Sequence, residues 1–266
     1  FYFQYVLGIQ EKEDLLDEPE AADIGTFLHE FLEAVYAPHV GKKPVFDAAF
    51  EKTFFEAFDE HFEKSFRRKM KSDAFLMRQL IEYRLRTFIG NERRRDIAAV
   101  ISVEREFTGL VRLAQGDFDF RAFIDRIDRL SDGSILILDY KTGSTNVMPS
   151  DVSRIEAGGM SRSALRQTLK SFQLPIYLYF VQQAHFCRGA SVNAALYSLR
   201  DMEKNYGLQT ISRTSLSEDA RRAAMDVYLK ALDAIFAEIL DPDIPFAADD
   251  HVFRQCAYCP FFYMCR

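Results

Sequence analysis

The sequence predicts a mixed α/β layer fold built on one central sheet. Two observations carry this. Segments with helical periodicity come first, strand-like segments follow, and the chain then alternates helix, strand and helix. Residues 135–138, ILIL, form a short continuous apolar run, the pattern of a strand buried on both faces. No Gly-rich phosphate loop follows any strand, so a nucleotide-binding fold is not supported. A Gly-x-Ser-x-Gly elbow and a His-Glu-x-x-His helix are also absent.

The 266 residues suit one large domain, or one domain with an insertion. Apolar residues make up 48%, enough for a substantial core. No run of about 20 apolar residues exists, so no membrane-spanning helix is expected. The net charge of −6 excludes a uniformly basic protein but leaves room for a local positive groove. The chain opens on an aromatic run without Met, FYFQYVLGI, and reads as a C-terminal piece of a longer polypeptide.

Taken in order, residues 24–35 place Ile24, Phe27, Leu28, Phe31, Leu32 and Val35 at helical spacing, with Asp23 as N-cap. His29 falls off this apolar stripe, one turn from Glu33. The stretch APHVGKKP then breaks the chain. From about 46 to 97 the pattern is helical, and Phe50, Phe54, Phe58, Phe62 and Phe66 recur every four residues as a core-facing stripe. RRKMK (67–71) and RRR (93–95) each read as a solvated helix face, and together they lean toward a nucleic-acid surface. Strands are expected at 98–107, 118–130 and 134–141. Residues 144–164 are small and polar and read as a mobile loop. A helix over 171–183 tolerates Pro175 near its first turn. A strand over 190–199 and a helix over 215–240, with Ser215 and Glu218 as a capping box, complete the order.

The chemistry concentrates at the end of the apolar strand. Asp139 and Lys141 lie two apart and so share a face. Ser131–Gly133, SDG, fits a three-residue hairpin loop with Gly133 in the left-handed position. That register sets residue 130 opposite 134 and Asp125 opposite Asp139 on the same side of the sheet. Two carboxylates at close range repel unless a cation sits between them. Mg²⁺ takes oxygen ligands and keeps several waters, so two carboxylates and a substrate phosphate suffice. A lysine beside them can position water or neutralise developing charge. The arrangement suits phosphodiester hydrolysis. Asp128 and Arg129 read instead as structural ion-pairing residues.

Cys256, Cys259 and Cys265 have the spacing Cys-x₂-Cys-x₅-Cys, which suits zinc or an iron–sulfur cluster. Cys187 reads as an ordinary buried thiol.

FIDRID and ILILDYKTG together resemble the core motif of the PD-(D/E)xK nuclease superfamily, in its RecB/AddB-type branch. The likeness extends through most of the chain. GTFLHEFLE is similar to the family's N-terminal helix, QLPIY to its Gln-x-x-x-Tyr helix, and CAYCPFFYMC to a three-cysteine tail that holds a [4Fe–4S] cluster. The resemblance implies a restriction-endonuclease-like core whose mixed central sheet is flanked by helices, with a helical insertion at about 46–97 and a cysteine tail at 256–265, all in one domain spanning 1–266. It implies metal-binding acids at Asp125 and Asp139, the catalytic lysine at Lys141, and supporting residues at Gln173 and Tyr177. His29 would be a metal ligand or a group behind the ligands, and Glu104 in SVEREF a further carboxylate near the metal. The fourth cluster ligand would lie upstream of Phe1. One departure is Ala122, where many members have Gly.

The implied activity is that of a cytoplasmic, Mg²⁺- or Mn²⁺-dependent deoxyribonuclease of DNA repair and recombination, acting as an exonuclease. Its partners would be DNA ends and a helicase subunit or an upstream helicase-like region. The alternatives are a catalytically silent DNA-binding module of the same fold and a metal-stapled interaction domain.

Overall fold

The computed structural model describes residues 7–8, 21–66, 74–143, 145–212 and 218–244. Helix α1 (Ala21–Tyr36) starts earlier than its periodicity predicts. Asp23 therefore lies in its first turn rather than at the N-cap, where a carboxylate still meets the positive end of the helix dipole. Helices α2 (Ala48–Phe66) and α3 (Ala74–Glu92) follow.

The phenylalanine stripe of α2 faces the core, with Phe54, Phe58, Phe62 and Phe66 buried. A four-residue repeat drifts by about 40° per step around a 3.6-residue helix. Phe50, at one end of the stripe, is accordingly only half-buried. The rings meet α1 edge-on, with Phe27 and Phe66 at 5.1 Å and Phe31 and Phe54 at 4.9 Å between centroids.

Among the described residues, five strands form one sheet in the order β1 (Ile97–Leu113), β2 (Gly116–Leu130), β3 (Ile135–Lys141), β4 (Val192–Ser198) and β5 (Leu208–Thr210). Only β3 and β4 are parallel. The crossover between them carries α4 (Val152–Gly158), α5 (Arg162–Thr168) and α6 (Gln173–Gln183), and α7 (Glu218–Leu240) follows β5. This is the mixed sheet with flanking helices expected of a restriction-endonuclease-like fold.

Alternation along β3 explains its apolar run. Leu136, Leu138 and Tyr140 join the core formed with α1, α2 and α3. Ile135 and Ile137 join a second core, on the other face, with α6 and α7. Both faces are covered, so no polar alternation survives.

The structure corrects the expected loop at 144–164, part of which is helical in α4 and α5. Ile155 and Leu165 are among the few apolar residues of these two helices, and they are pinned against Val227, Tyr228 and Ala231 of α7. Tertiary packing supplies what the polar sequence does not signal. Strand β1 also runs past 107, because its ladder with β2 continues to Leu113↔Gly116. Arg67–Lys71, Ser215 and the three clustered cysteines lie outside the described residues.

Candidate active site

The β2–β3 hairpin sets the frame. Leu130 N donates to Ser134 O at 2.8 Å, and Gly133 has φ +84°, the left-handed conformation a three-residue loop requires. Pairing then runs from Arg129↔Ile135 to Arg126↔Leu138. Continued one step, this register sets Asp125 opposite Asp139, where the β2–β3 ladder ends. The Asp125 carboxylate accepts a hydrogen bond from Tyr140 N.

Strand β1 brings the next carboxylate. The ladder pairs Val103 with Arg126 and Arg105 with Ile124, so Glu104 falls opposite Asp125. Glu104 has φ +40°, a left-handed conformation that residues with a Cβ adopt at a steric cost. Facing changes here as well. Ala122 and Ile124 point into the core with α6 and α7, while Arg126, two residues beyond Ile124, bonds Tyr140 and Glu92 on the α1–α3 side. Ala122, the departure from the family's Gly, is itself buried in that core.

His29 reaches the site from α1. Its Nε2 lies 3.2 Å from Tyr140 O, and a carbonyl can only accept, so this nitrogen carries the proton. Nδ1 then faces Asp125 Oδ2 at 3.5 Å and Glu104 Oε1 at 3.7 Å. Burial alone would lower the His29 pKa. Its contacts with Asp125 and Glu104 outweigh burial and raise it to about 10.

On the other side, Asp139, Lys141, Gln173 and Tyr177 form a closed ring. Lys141 Nζ lies 2.7 Å from Asp139 Oδ2 and donates to Gln173 Oε1 at 2.9 Å. Gln173 Nε2 donates to Tyr177 Oη at 2.9 Å, and Tyr177 Oη reaches Asp139 Oδ1 at 3.5 Å. Gln173 and Tyr177 are one turn apart on α6, which makes the relay possible. Burial, then Asp139, pushes the Tyr177 pKa up, so it stays a phenol donor. Burial, then the charge of Asp125, raises the Asp139 pKa to about 6, against the opposing pull of Lys141 and His29. Asp125 thus takes its histidine partner from α1, and Asp139 takes its tyrosine partner from α6.

These residues fit a divalent cation. One donor atom each from His29, Glu104 and Asp125 lies within 4.8 Å of the others. In the metal-free fold His29 carries a proton on Nδ1 as well. A cation would displace that proton, and the ring, still held by a backbone carbonyl at Nε2, would then turn its Nδ1 lone pair to the site, as metal-bound histidines do. Asp139 Oδ2 is buried and, although in ion-pair range of Lys141, has no well-directed hydrogen bond among the described residues. Glu104, Asp125 and Asp139 against Lys141 leave a double negative charge when His29 is neutral. Carboxylates suit Mg²⁺ and Mn²⁺, and the imidazole favours the more nitrogen-tolerant Mn²⁺.

The structure thus brings together His29, Glu104, Asp125, Asp139, Lys141, Gln173 and Tyr177. The Tyr140 backbone anchors both His29 and Asp125, and the sequence gives no sign of it, because a main-chain role leaves no mark on residue type. Asp128 belongs to a buried ion pair with Arg126 and Arg95. Among the described residues Arg129 has no ion pair, contrary to expectation, and donates instead to a backbone oxygen, Phe186 O, at 3.0 Å. Cys187 is a buried free thiol. No helix among the described residues is long and apolar enough to cross a membrane.

The PD-(D/E)XK nuclease superfamily model matches residues 1–266. The chain is 27% identical over 245 residues to a subunit of the ATP-dependent helicase/deoxyribonuclease of Streptococcus uberis, covering 86% of this chain and 20% of that protein. The corresponding subunit of the Streptococcus mutans enzyme is 30% identical over 148 residues, covering 53% of this chain and 12% of that protein. The chain therefore spans between an eighth and a fifth of the length of these relatives. A solved structure, SSO0001, aligns over 98% of this chain and 90% of its own at 15% identity, with a TM-score of 0.32, too loose to place side chains.

Proposed function

The chain belongs to the PD-(D/E)XK nuclease superfamily, and from that premise we propose that it is a metal-dependent DNA nuclease, acting as an exonuclease within a helicase–nuclease system. The observation that carries the reading is the meeting of His29, Glu104 and Asp125 with the Asp139–Lys141 pair at one end of the sheet. The names of the relatives favour DNA as substrate and a helicase as partner.

His29, Glu104, Asp125 and Asp139 would hold Mg²⁺ or Mn²⁺. Bound there, the cation supplies Lewis acidity to a phosphoryl oxygen and lowers the pKa of water. Every other part of the chemistry falls to side chains already in place. Gln173 and Asp139 fix the Lys141 ammonium, which stabilises charge that develops on the scissile phosphate. Tyr177 keeps its proton and donates toward Asp139, steadying that carboxylate. Tyr140 O holds the His29 ring in a single orientation. The proposal extends to a [4Fe–4S] cluster on Cys256, Cys259 and Cys265 and to an insertion at about 46–97.

Linear single- and double-stranded DNA incubated with Mn²⁺ or Mg²⁺ tests it. Wild-type protein should degrade DNA, and Lys141→Ala and Asp139→Ala should lose cleavage while staying folded. Wild-type rates in both folded variants would remove the nuclease assignment.

A further inference from the structure

The arginine run at 93–95 divides three ways in the structure, and a second surface emerges from the division. Arg93 pairs with Glu51 and bonds Phe46 O. Arg95 is buried between Glu92 and Asp128. Arg93 and Arg94 are both exposed, but Arg94 has no ion pair among the described residues and lies 5.3 Å from the ring of Tyr206.

The backbone holds Tyr206 out. It is 48% exposed in a turn where Asn205, Tyr206 and Gly207 all have positive φ, at 49°, 56° and 80°. Two successive residues with a Cβ in the left-handed region are sterically costly. The third must be glycine, because a Cβ at Gly207 would lie 2.8 Å from Ser198 O. The turn is clamped to α3, since Asn91 Nδ2 donates to Met202 O at 3.3 Å and Met202 is buried.

Two more guanidiniums border the same loop. Exposed Arg200 leads into it, and Arg84 lies on α3, seven residues before Asn91. Burial, then the nearby charge of Arg200, lowers the Arg84 pKa, and Asp201 only partly offsets this. Among the described residues neither arginine has a carboxylate at salt-bridge distance.

The loop is continuous with the candidate active site. Ser198 pairs with Lys141, and Leu199 N donates to Lys141 O at 2.8 Å. Strand β5, which Tyr206 precedes, is two strands from β3, about 10 Å at ordinary strand spacing.

We propose that the face shared by α3 and the 199–207 loop is a track for single-stranded DNA, with Tyr206 as a base-stacking platform and Arg84, Arg94 and Arg200 as phosphate contacts. An aromatic displayed among guanidiniums is the combination that binds single strands without reading sequence. The choice of DNA rests on the nuclease reading above, while the surface stands on its own geometry.

The test is fluorescence anisotropy with labelled oligothymidylate, without divalent cations so that nothing is cut, over a range of salt. Tyr206→Ala should weaken binding about 5- to 150-fold. Tyr206→Phe, which keeps the ring, should bind like wild type. A triple Arg84→Gln, Arg94→Gln, Arg200→Gln variant should flatten the slope of log affinity against log salt by about 2. If Tyr206→Ala disturbs the turn, as circular dichroism would reveal, the arginine variant carries the test alone. Wild-type affinity and slope in folded variants overturn the track, including the case in which the face binds a protein instead. Wild-type protein that cuts DNA but fails this test keeps its nuclease assignment. Protein that binds through this face but cuts nothing keeps the track and loses the nuclease assignment.

Discussion

Asp125 and Arg126 are neighbours on β2, yet they belong to two charge clusters built on opposite rules. Arg126 sits with Glu92, Arg95 and Asp128, all with side chains between 0% and 6% exposed. Two acids there meet two guanidiniums, Tyr36 Oη donates to Glu92 at 2.8 Å, and Arg126 donates to Tyr140 Oη at 2.9 Å. That cluster is neutral and saturated. Asp125 sits with Glu104, Asp139, His29 and Lys141, where acids outnumber bases and His29, Glu104 and Lys141 remain partly open to solvent. Charge that only holds the fold together is balanced and sealed. Charge left in surplus at an opening is available for a ligand.

Breaking each cluster should therefore fail in a different way. Arg126→Met leaves Glu92 and Asp128 buried with Arg95 alone, and should cost about 3–5 kcal/mol in urea unfolding. A loss below about 1 kcal/mol would mean that the sealed cluster is not structural. A saturating divalent cation should do the reverse at the open cluster. Mn²⁺ at about 100 times its Kd should stabilise wild type by about 2.7 kcal/mol. The gain should shrink in Asp125→Asn, and an equal gain in that variant would place the metal elsewhere.

Acid should separate the two clusters by sign. Asp139 has a pKa raised to about 6, so the metal-free fold binds its proton before the unfolded chain does. It should gain stability as pH falls through about 6 toward about 4, the ordinary carboxylate range. Glu92 is held at about 2, where the pull of Arg126 and Arg95 outweighs burial. Its contribution is complete above the ordinary carboxylate range and should be lost as pH falls from about 4 through about 2. Melting curves of wild type, Asp139→Asn and Glu92→Gln from about pH 2 to about pH 8 would show the two slopes vanish separately. The smallest effect belongs to the surface. Arg78→Ala breaks an exposed pair with Asp59 and should cost only about 0.2–1 kcal/mol.

Much of the open cluster was legible in the sequence. The continuous apolar run placed β3, and the SDG turn set the register that, continued one step beyond Arg126↔Leu138, brings Asp125 opposite Asp139. The four-residue phenylalanine repeat placed α2. The sealed cluster was less legible. IDRID looks like one motif, but the structure divides it between the clusters, and Arg95 in a run of three arginines looked solvated, whereas in the turn after α3 it pairs with Glu92 and Asp128. Glu104 was expected near the metal from the family resemblance, but the left-handed backbone it sits on is not predicted by composition or spacing. The helices within 144–164 depend on α7, more than fifty residues away.

Surplus charge at the strand ends serves chemistry at the expense of stability, and Asp139→Asn tests this most directly. Its cleavage of linear DNA with Mn²⁺ and its urea stability at neutral pH are measured on the same sample. Cleavage should fall by about 10²–10³, while stability stays level or rises by on the order of 1–2 kcal/mol. Wild-type cleavage, or a loss of activity that merely tracks a loss of folded protein, would contradict it.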